Sequence, residues 1–226
     1  MKSIFLIPVF FFACLSLSTG AANNVKNTNN NPDEPTFQEF LAQFPKACLP
    51  YTFSADDLQA QMEKRATAPK AKRLAWEYYQ FLPMLEESAR YSNMPVYPEP
   101  VAAFETESNY AVLYNTGRGF TKNFKSYHVA VYDKQGNHIA THFVAGVNAS
   151  SLTTATIDEA LNAKVQAYQV NWAKDYQQNG AEGNSIINLT PAGRQSIKLT
   201  TGGMVEQVIW ATKSTSFSSA ATADAK

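Results

Sequence analysis

Residues 126–144 have the sequence SYHVAVYDKQGNHIATHFV, and this stretch predicts a β-hairpin. Two runs rich in β-branched and aromatic residues flank the tetrapeptide Asp133-Lys134-Gln135-Gly136. Aspartate favours the first position of a type I turn, and glycine readily adopts the left-handed conformation that closes such a turn as a bulge. The sequence therefore predicts a loop of residues 134–136 between two antiparallel strands.

The register of this hairpin follows from the loop, which places Asp133 opposite Asn137. The apolar side chains then share one face, which a slip of one residue would scatter. The pairs expected on that face are Val131 with Ile139, Val129 with Thr141 and Tyr127 with Phe143. The other face is expected to carry all three histidines, with His138 opposite Tyr132 and His128 directly opposite His142.

The N-terminus has the anatomy of a secretory signal peptide. Lys2 precedes the apolar run IFLIPVFFFACLSL, and small residues follow as far as Ala22. We expect residues 1–22 to be removed by cleavage after Ala21 or Ala22, which gives a secreted or periplasmic protein. The run is too short and wrongly flanked for a transmembrane helix. Cys14 could be the lipidated cysteine of a lipoprotein signal, but the bulky Phe11 and Phe12 before it favour plain secretion.

Composition divides the rest of the chain. Residues 23–35 are rich in asparagine and predict a disordered linker, and residues 212–226 predict a disordered tail. Residues 36–211 are expected to form one globular domain, with helices in 36–94 and a β meander in 99–211.

The helical region carries two capping signals, Thr36 with Glu39 and Ser54 with Asp57. Apolar residues at helical spacing follow the first signal, and an aromatic segment at 70–82 predicts a third helix. The region after residue 99 predicts about eight short strands, with a turn at Pro191-Ala192-Gly193. The predicted fold is α+β, with N-terminal amphipathic helices packed on an antiparallel meander. The expected core includes Phe37, Phe40, Leu41, Phe44, Trp76, Val129, Val131, Ile139 and Phe143.

Three segments carry a resemblance to a known group of proteins. They are the Phe44-Pro45 pair that ends the first helix, the LPYTF of Leu49–Phe53, and the YDKQGNHI turn. Together they resemble uncharacterised, β-rich secreted and lipoprotein-type proteins of Gram-negative bacteria. The resemblance implies a location in the bacterial cell envelope and no particular activity.

Familiar catalytic motifs are missing from the sequence. It has no Gly-x-Ser-x-Gly, no phosphate-binding glycine loop and no His-Glu-x-x-His, and nothing indicates a cofactor. Loss of residues 1–22 would remove only Lys2, leaving 18 basic against 19 acidic residues and a net charge of −1. This balance does not favour binding to nucleic acid. Glu105 and Glu107 could act as a carboxylate pair, but the sequence strongly favours a solvated strand edge instead.

The histidine face suggests a metal-site hypothesis. His128 and His142, if opposite each other, would present two imidazoles to a transition metal. His138 would lie too far along the strands to reach the same ion. The competing interpretation is a polar face with ordinary histidines.

A second candidate site is the polar loop 173–185, which is longer than a hairpin needs. Binding residues concentrate on loops held by rigid strands. Aromatic rings beside amide side chains are typical of surfaces that bind sugars or peptides. The predicted ligand-binding residues are Trp172, Tyr176, Gln177 and Asn179.

These observations favour a secreted or cell-envelope binding domain without enzymatic activity, whose partner is an envelope ligand or protein. Two alternatives stay open. One is a β-barrel that holds a small ligand. The other is a hydrolase that uses two carboxylates on glycans, and this would require the carboxylates to face each other across a cleft.

Overall fold

The computed structural model describes residues 34–63, 72–83, 85, 96–118, 125–180, 183–201 and 203–209, and this part of the chain is mostly β. The strands are β1 (Tyr51–Phe53), β2 (Val96–Glu105), β3 (Asn109–Arg118), β4 (Lys125–Asp133), β5 (His138–Val147), β6 (Ser151–Ile157), β7 (Asn162–Trp172), β8 (Ile186–Lys198) and β9 (Gly203–Ile209). The helices are α1 (Phe37–Leu41), α2 (Ala55–Glu63), a 3₁₀ helix (Trp76–Phe81) and α3 (Tyr176–Asn179).

The strands form one antiparallel sheet that follows chain order from β2 to β9. The short strand β1 is the exception, because it pairs with the second half of β6. Just before β1, the Ala47 N–H donates to Ala103 O at 3.0 Å, and the Ala103 N–H donates to Pro45 O at 2.7 Å. The segment 45–53 therefore connects the outer edge of β2 to β6. Within the described residues, β2 and β9 end the sheet and do not pair with each other.

The predicted α+β class is wrong, because the N-terminal region contains only short helices. The capping signals act as expected. The Glu39 N–H donates to Thr36 Oγ1 to begin α1, and the Asp57 N–H donates to Ser54 Oγ in the first turn of α2. However, α1 has only five residues, and the aromatic segment forms six residues of 3₁₀ helix. Aromatic side chains have modest helix propensity, and the prolines at 45 and 83 limit both segments. The region also contains strand β1, and the meander begins at Val96 rather than at 99.

Two apolar clusters lie on opposite faces of strands β2–β4. The inner cluster joins Leu113, Val129 and Val131 to residues of β6, β7 and β8, so the two halves of the sheet pack on each other. The outer cluster joins Val112, Ala130 and Tyr132 to apolar residues of α1 and of the chain around the 3₁₀ helix. The Tyr132 hydroxyl donates to Phe81 O at 2.5 Å, which fixes the 3₁₀ helix on the sheet.

The predicted core is only partly correct. Phe40, Phe44, Val129 and Val131 are buried, and Phe37 and Leu41 are half-buried against the outer cluster. The remaining three predictions are wrong: Trp76 is 81% exposed, and Ile139 and Phe143 are each 41% exposed.

The predicted turn of the β4–β5 hairpin is confirmed. Gly136 has a φ of 87°, and its N–H donates to Asp133 O at 3.1 Å. The Asp133 N–H donates to Asn137 O at 3.0 Å, so these two residues face each other.

The predicted register beyond the turn is wrong, because β5 contains two bulges. Tyr132 faces His138 as expected, but Val131 faces Ala140, so Ile139 is an extra residue. A second extra residue, Val144, follows Phe143. The first bulge carries the large Ile139 side chain out of the inner cluster and places a small alanine opposite Val131. A bulge shifts every later pair by one position, and alternation alone could not reveal it.

The predicted turn at Pro191-Ala192-Gly193 is also absent, because β8 continues through these residues. Tyr168 faces Pro191 and Ala167 faces Gly193, so Ala192 is the extra residue of a bulge. Proline is tolerated at such positions because the ladder hydrogen bond is already interrupted. The predicted signal peptide, most of the linker and the tail lie outside the described residues.

Candidate functional site

The β7–β8 loop spans residues 173–185, of which the structure describes 173–180 and 183–185. Trp172 ends β7, and its indole N–H donates to Ala149 O at 2.6 Å. The Val170 N–H donates to Ser150 O at 3.0 Å. The loop is thus tied to the β5–β6 turn at the same end of the sheet.

Asn184 holds the middle of the loop together. Its side chain is buried, and its Oδ1 accepts from the Lys174 N–H at 2.9 Å. Its Nδ2 donates to Lys174 O at 2.9 Å and to Gly180 O at 3.0 Å. The side-chain amide of Asn184 therefore joins two parts of the loop that are ten residues apart in the sequence.

Within this frame the helix α3 presents the predicted ligand residues. Asp175 caps the helix, because its Oδ1 accepts from the Gln177 N–H at 2.8 Å and the Gln178 N–H at 3.2 Å. The Tyr176 ring lies 5.1 Å from the Trp172 ring at a tilt of 38°. Burial raises the pKa of the Tyr176 hydroxyl, so this group stays protonated at neutral pH.

The four predicted ligand residues differ in their surroundings. Trp172 and Tyr176 lie side by side and are both half-buried, whereas Gln177 is exposed. The Asn179 side chain is exposed but donates to Asp175 O at 2.9 Å, so one of its N–H groups already stabilises the helix. The residues available to a ligand are therefore the aromatic pair and Gln177.

Sequence reasoning did not identify two residues of this region. Asn184 was missed because only its three loop hydrogen bonds distinguish it from any other loop asparagine. Ile187 was missed because a bulge determines its position: Asn171 faces Asn188 and Trp172 faces Ile186, so Ile187 is the extra residue. Its side chain is 70% exposed, which adds an apolar side chain to the surface of β8 just after the loop.

The histidines do not form the predicted pair. His128 faces Phe143, and His142 faces Val129, so the expected pairing of His128 with His142 is wrong. The cause is the extra residue Ile139, which moves His142 to the face of the inner cluster. Among the described residues, which include all three histidines, no group of three or more histidine, cysteine or carboxylate side chains could hold a metal ion.

The three histidines instead lie in different surroundings. The His128 ring stacks on Tyr114 with centroids 5.6 Å apart, and burial lowers the pKa of His128 to about 4. His138 Nε2 lies 2.8 Å from Thr141 Oγ1. His142 Nε2 is buried and has no hydrogen-bond partner in the structure. Burial lowers the pKa of His138 and of His142 as well, so these imidazoles favour the neutral form.

The carboxylates lie at the opposite end of the sheet from the β7–β8 loop. Glu105 accepts from Lys134 Nζ at 2.9 Å, which is a surface ion pair. Glu107 and Glu159 are exposed and line an open depression of about 600 Å³, together with Lys198. A general acid requires a carboxyl group shielded from water, so this depression does not favour the hydrolase alternative.

Comparison with known proteins found no relatives: no family model, no curated protein and no solved structure matches the chain. The resemblance to envelope proteins therefore depends on its sequence motifs alone. None of the described helices is long and apolar enough to cross a lipid bilayer.

Proposed function

We propose that this protein is a secreted or cell-envelope binding domain without enzymatic activity, and that the β7–β8 loop contacts its ligand. The observation that carries the proposal is the Trp172–Tyr176 pair, whose rings lie 5.1 Å apart at one end of the sheet. The next residue in the chain, Gln177, is exposed. Flat rings with adjacent amides suit the faces and hydroxyl groups of a sugar. We therefore propose a glycan as the ligand class.

The hydrogen bonds within the described part of the loop support this proposal. A flexible loop must lose conformational entropy when it binds, and a preformed loop avoids most of that cost. Here Asn184 and Asp175 fix the backbone through five hydrogen bonds, and the indole N–H of Trp172 anchors the aromatic pair. The surface around Trp172 and Tyr176 is thus preformed.

The location is proposed from the sequence of residues 1–22. Its test is mass spectrometry of the protein recovered from a Gram-negative host. We expect a mature N-terminus directly after Ala21 or Ala22. A lipid on Cys14 would instead give a chain that begins at that residue and partitions into detergent, and this result would reject plain secretion.

The binding proposal is tested on an array of bacterial and host glycans that includes cell-wall fragments. Wild type is compared with Gln177→Ala, which removes an exposed amide, and with a form whose loop is shortened to Gly-Asn. Gln135→Ala is the matched control, since Gln135 is also an exposed glutamine but lies in the β4–β5 turn at the other end of the sheet.

We expect wild type and Gln135→Ala to bind the same glycans. Gln177→Ala should bind them about ten times more weakly, because it loses a contact of ~1.4 kcal/mol. The form with the shortened loop should not bind. Equal binding by all four proteins would show that the β7–β8 loop is not the binding site. No binding to any glycan, combined with capture of peptides on a parallel array, would reject the ligand class and keep the loop.

A further inference from the structure

Most of strand β5 lies at an edge of the sheet. Along one side β5 pairs with β4, but along the other only Gly146 and Val147 pair with β6. The second half of β6 pairs with β1 instead. As far as the structure describes the chain, no strand pairs with the outer side of residues 139–145.

This edge lacks two of the common protections of an edge strand. An unpaired strand is a template for another strand, and proteins normally guard it with charged residues or proline. The sequence of β5, HIATHFVAGV, has neither. Its outward side chains Ile139 and Phe143 are each 41% exposed. Two bulges, at Ile139 and Val144, bracket the edge and leave Ala140–Phe143 as its regular part.

We infer that a second copy of this chain pairs with β5, edge to edge and antiparallel, around a two-fold axis. A two-fold interface must complement itself, and β5 meets this condition. With the axis at Thr141, Ile139 of each copy lies opposite Phe143 of the other. Each exposed isoleucine then covers a phenylalanine of the other copy. No like charges meet, because β5 carries no formally charged side chain.

The same geometry predicts a weak dimer. The regular edge is four residues long, and an interface of this size is small compared with those of stable complexes. We therefore expect an equilibrium between monomer and dimer that depends on protein concentration.

Sedimentation velocity over a wide range of concentration tests the inference on the full mature protein. Phe143→Lys places a charge on the proposed contact, at a position already open to solvent. Ile187→Lys is the matched control, because it introduces the same charge at an exposed apolar residue of another strand. Thermal melts of all three proteins confirm that each variant folds.

Wild type and Ile187→Lys should both shift towards dimer as concentration rises, whereas Phe143→Lys should stay monomeric throughout. Hydrogen–deuterium exchange gives a second measurement. In wild type, the amides of residues 140–143 should exchange more slowly as the protein concentration rises, and the change should follow the fraction of dimer. A monomeric wild type at every concentration would overturn the inference. So would a dimer that Phe143→Lys leaves intact, because the contact would then lie elsewhere.

Discussion

Gly136 connects the best-predicted turn of the chain to the N-terminal helix, and its replacement by alanine tests that connection. Its φ of 87° is a conformation that costs a residue with a Cβ about 1–2 kcal/mol. A Cβ at this position would also lie 2.8 Å from Cγ and Cδ1 of Phe37 in α1. Crowding of this kind costs roughly 1–3 kcal/mol. Gly136→Ala should therefore lower the free energy of unfolding by about 2–5 kcal/mol.

The assay is urea unfolding followed by circular dichroism, with two comparisons that separate the backbone cost from the crowding. Gly183 has a φ of 66°, and a Cβ there would have no atom within 4 Å. Gly183→Ala should therefore cost no more than the backbone part, about 1–2 kcal/mol. The second comparison introduces Gly136→Ala into Phe37→Ala, where the ring is gone and the crowding should disappear.

Gly136→Ala must cost more than Gly183→Ala, and it must cost less in the Phe37→Ala background than in wild type. If the two glycine variants are equally stable, or if the Phe37 background makes no difference, then α1 does not pack on the hairpin turn. The outer cluster would then need to be rearranged, because the Phe37 ring also lies 4.9 Å from that of Tyr132.

Three further predictions test the sheet. Val131→Asp should prevent folding, because it buries an unpaired charge in the inner cluster. Ile139→Asp should leave the melting temperature nearly unchanged, because Ile139 is 41% exposed. Similar melting curves for the two variants would show that the observed register is wrong. Tyr132→Phe should cost about 1–3 kcal/mol in urea unfolding, because Phe81 O loses its buried donor, and an unaltered midpoint would argue against that hydrogen bond. Because His128 has a folded pKa of about 4, below its unfolded value near 6.5, the unfolded chain binds more protons between these values. Stability should therefore fall as the pH drops from 6.5 towards 4, and His128→Gln should flatten that part of the stability profile; an identical profile in the variant would assign the effect to other groups.

The sequence by itself determined the features that depend on a few neighbouring residues. The Asp133–Gly136 turn was predictable because the carboxylate accepts from nearby backbone N–H groups and glycine adopts the left-handed position without steric cost. The Thr36–Glu39 capping box was predictable for the same reason. The proximity of Trp172 and Tyr176 followed from their placement around one loop. In each case the groups that interact are at most four residues apart.

Only the tertiary structure decided which way the longer segments face. The bulge at Ile139 reversed the faces of His142 and Phe143 relative to a regular ladder, and the bulge at Ala192 allowed β8 to pass through Pro191. A bulge costs little free energy within its own strand. Its position is therefore determined by how one half of the sheet packs on the other. Similarly, Asn184 braces the loop that carries the candidate site through two hydrogen bonds to Lys174, ten positions away. Such choices depend on contacts between distant parts of the chain, and local sequence does not encode them.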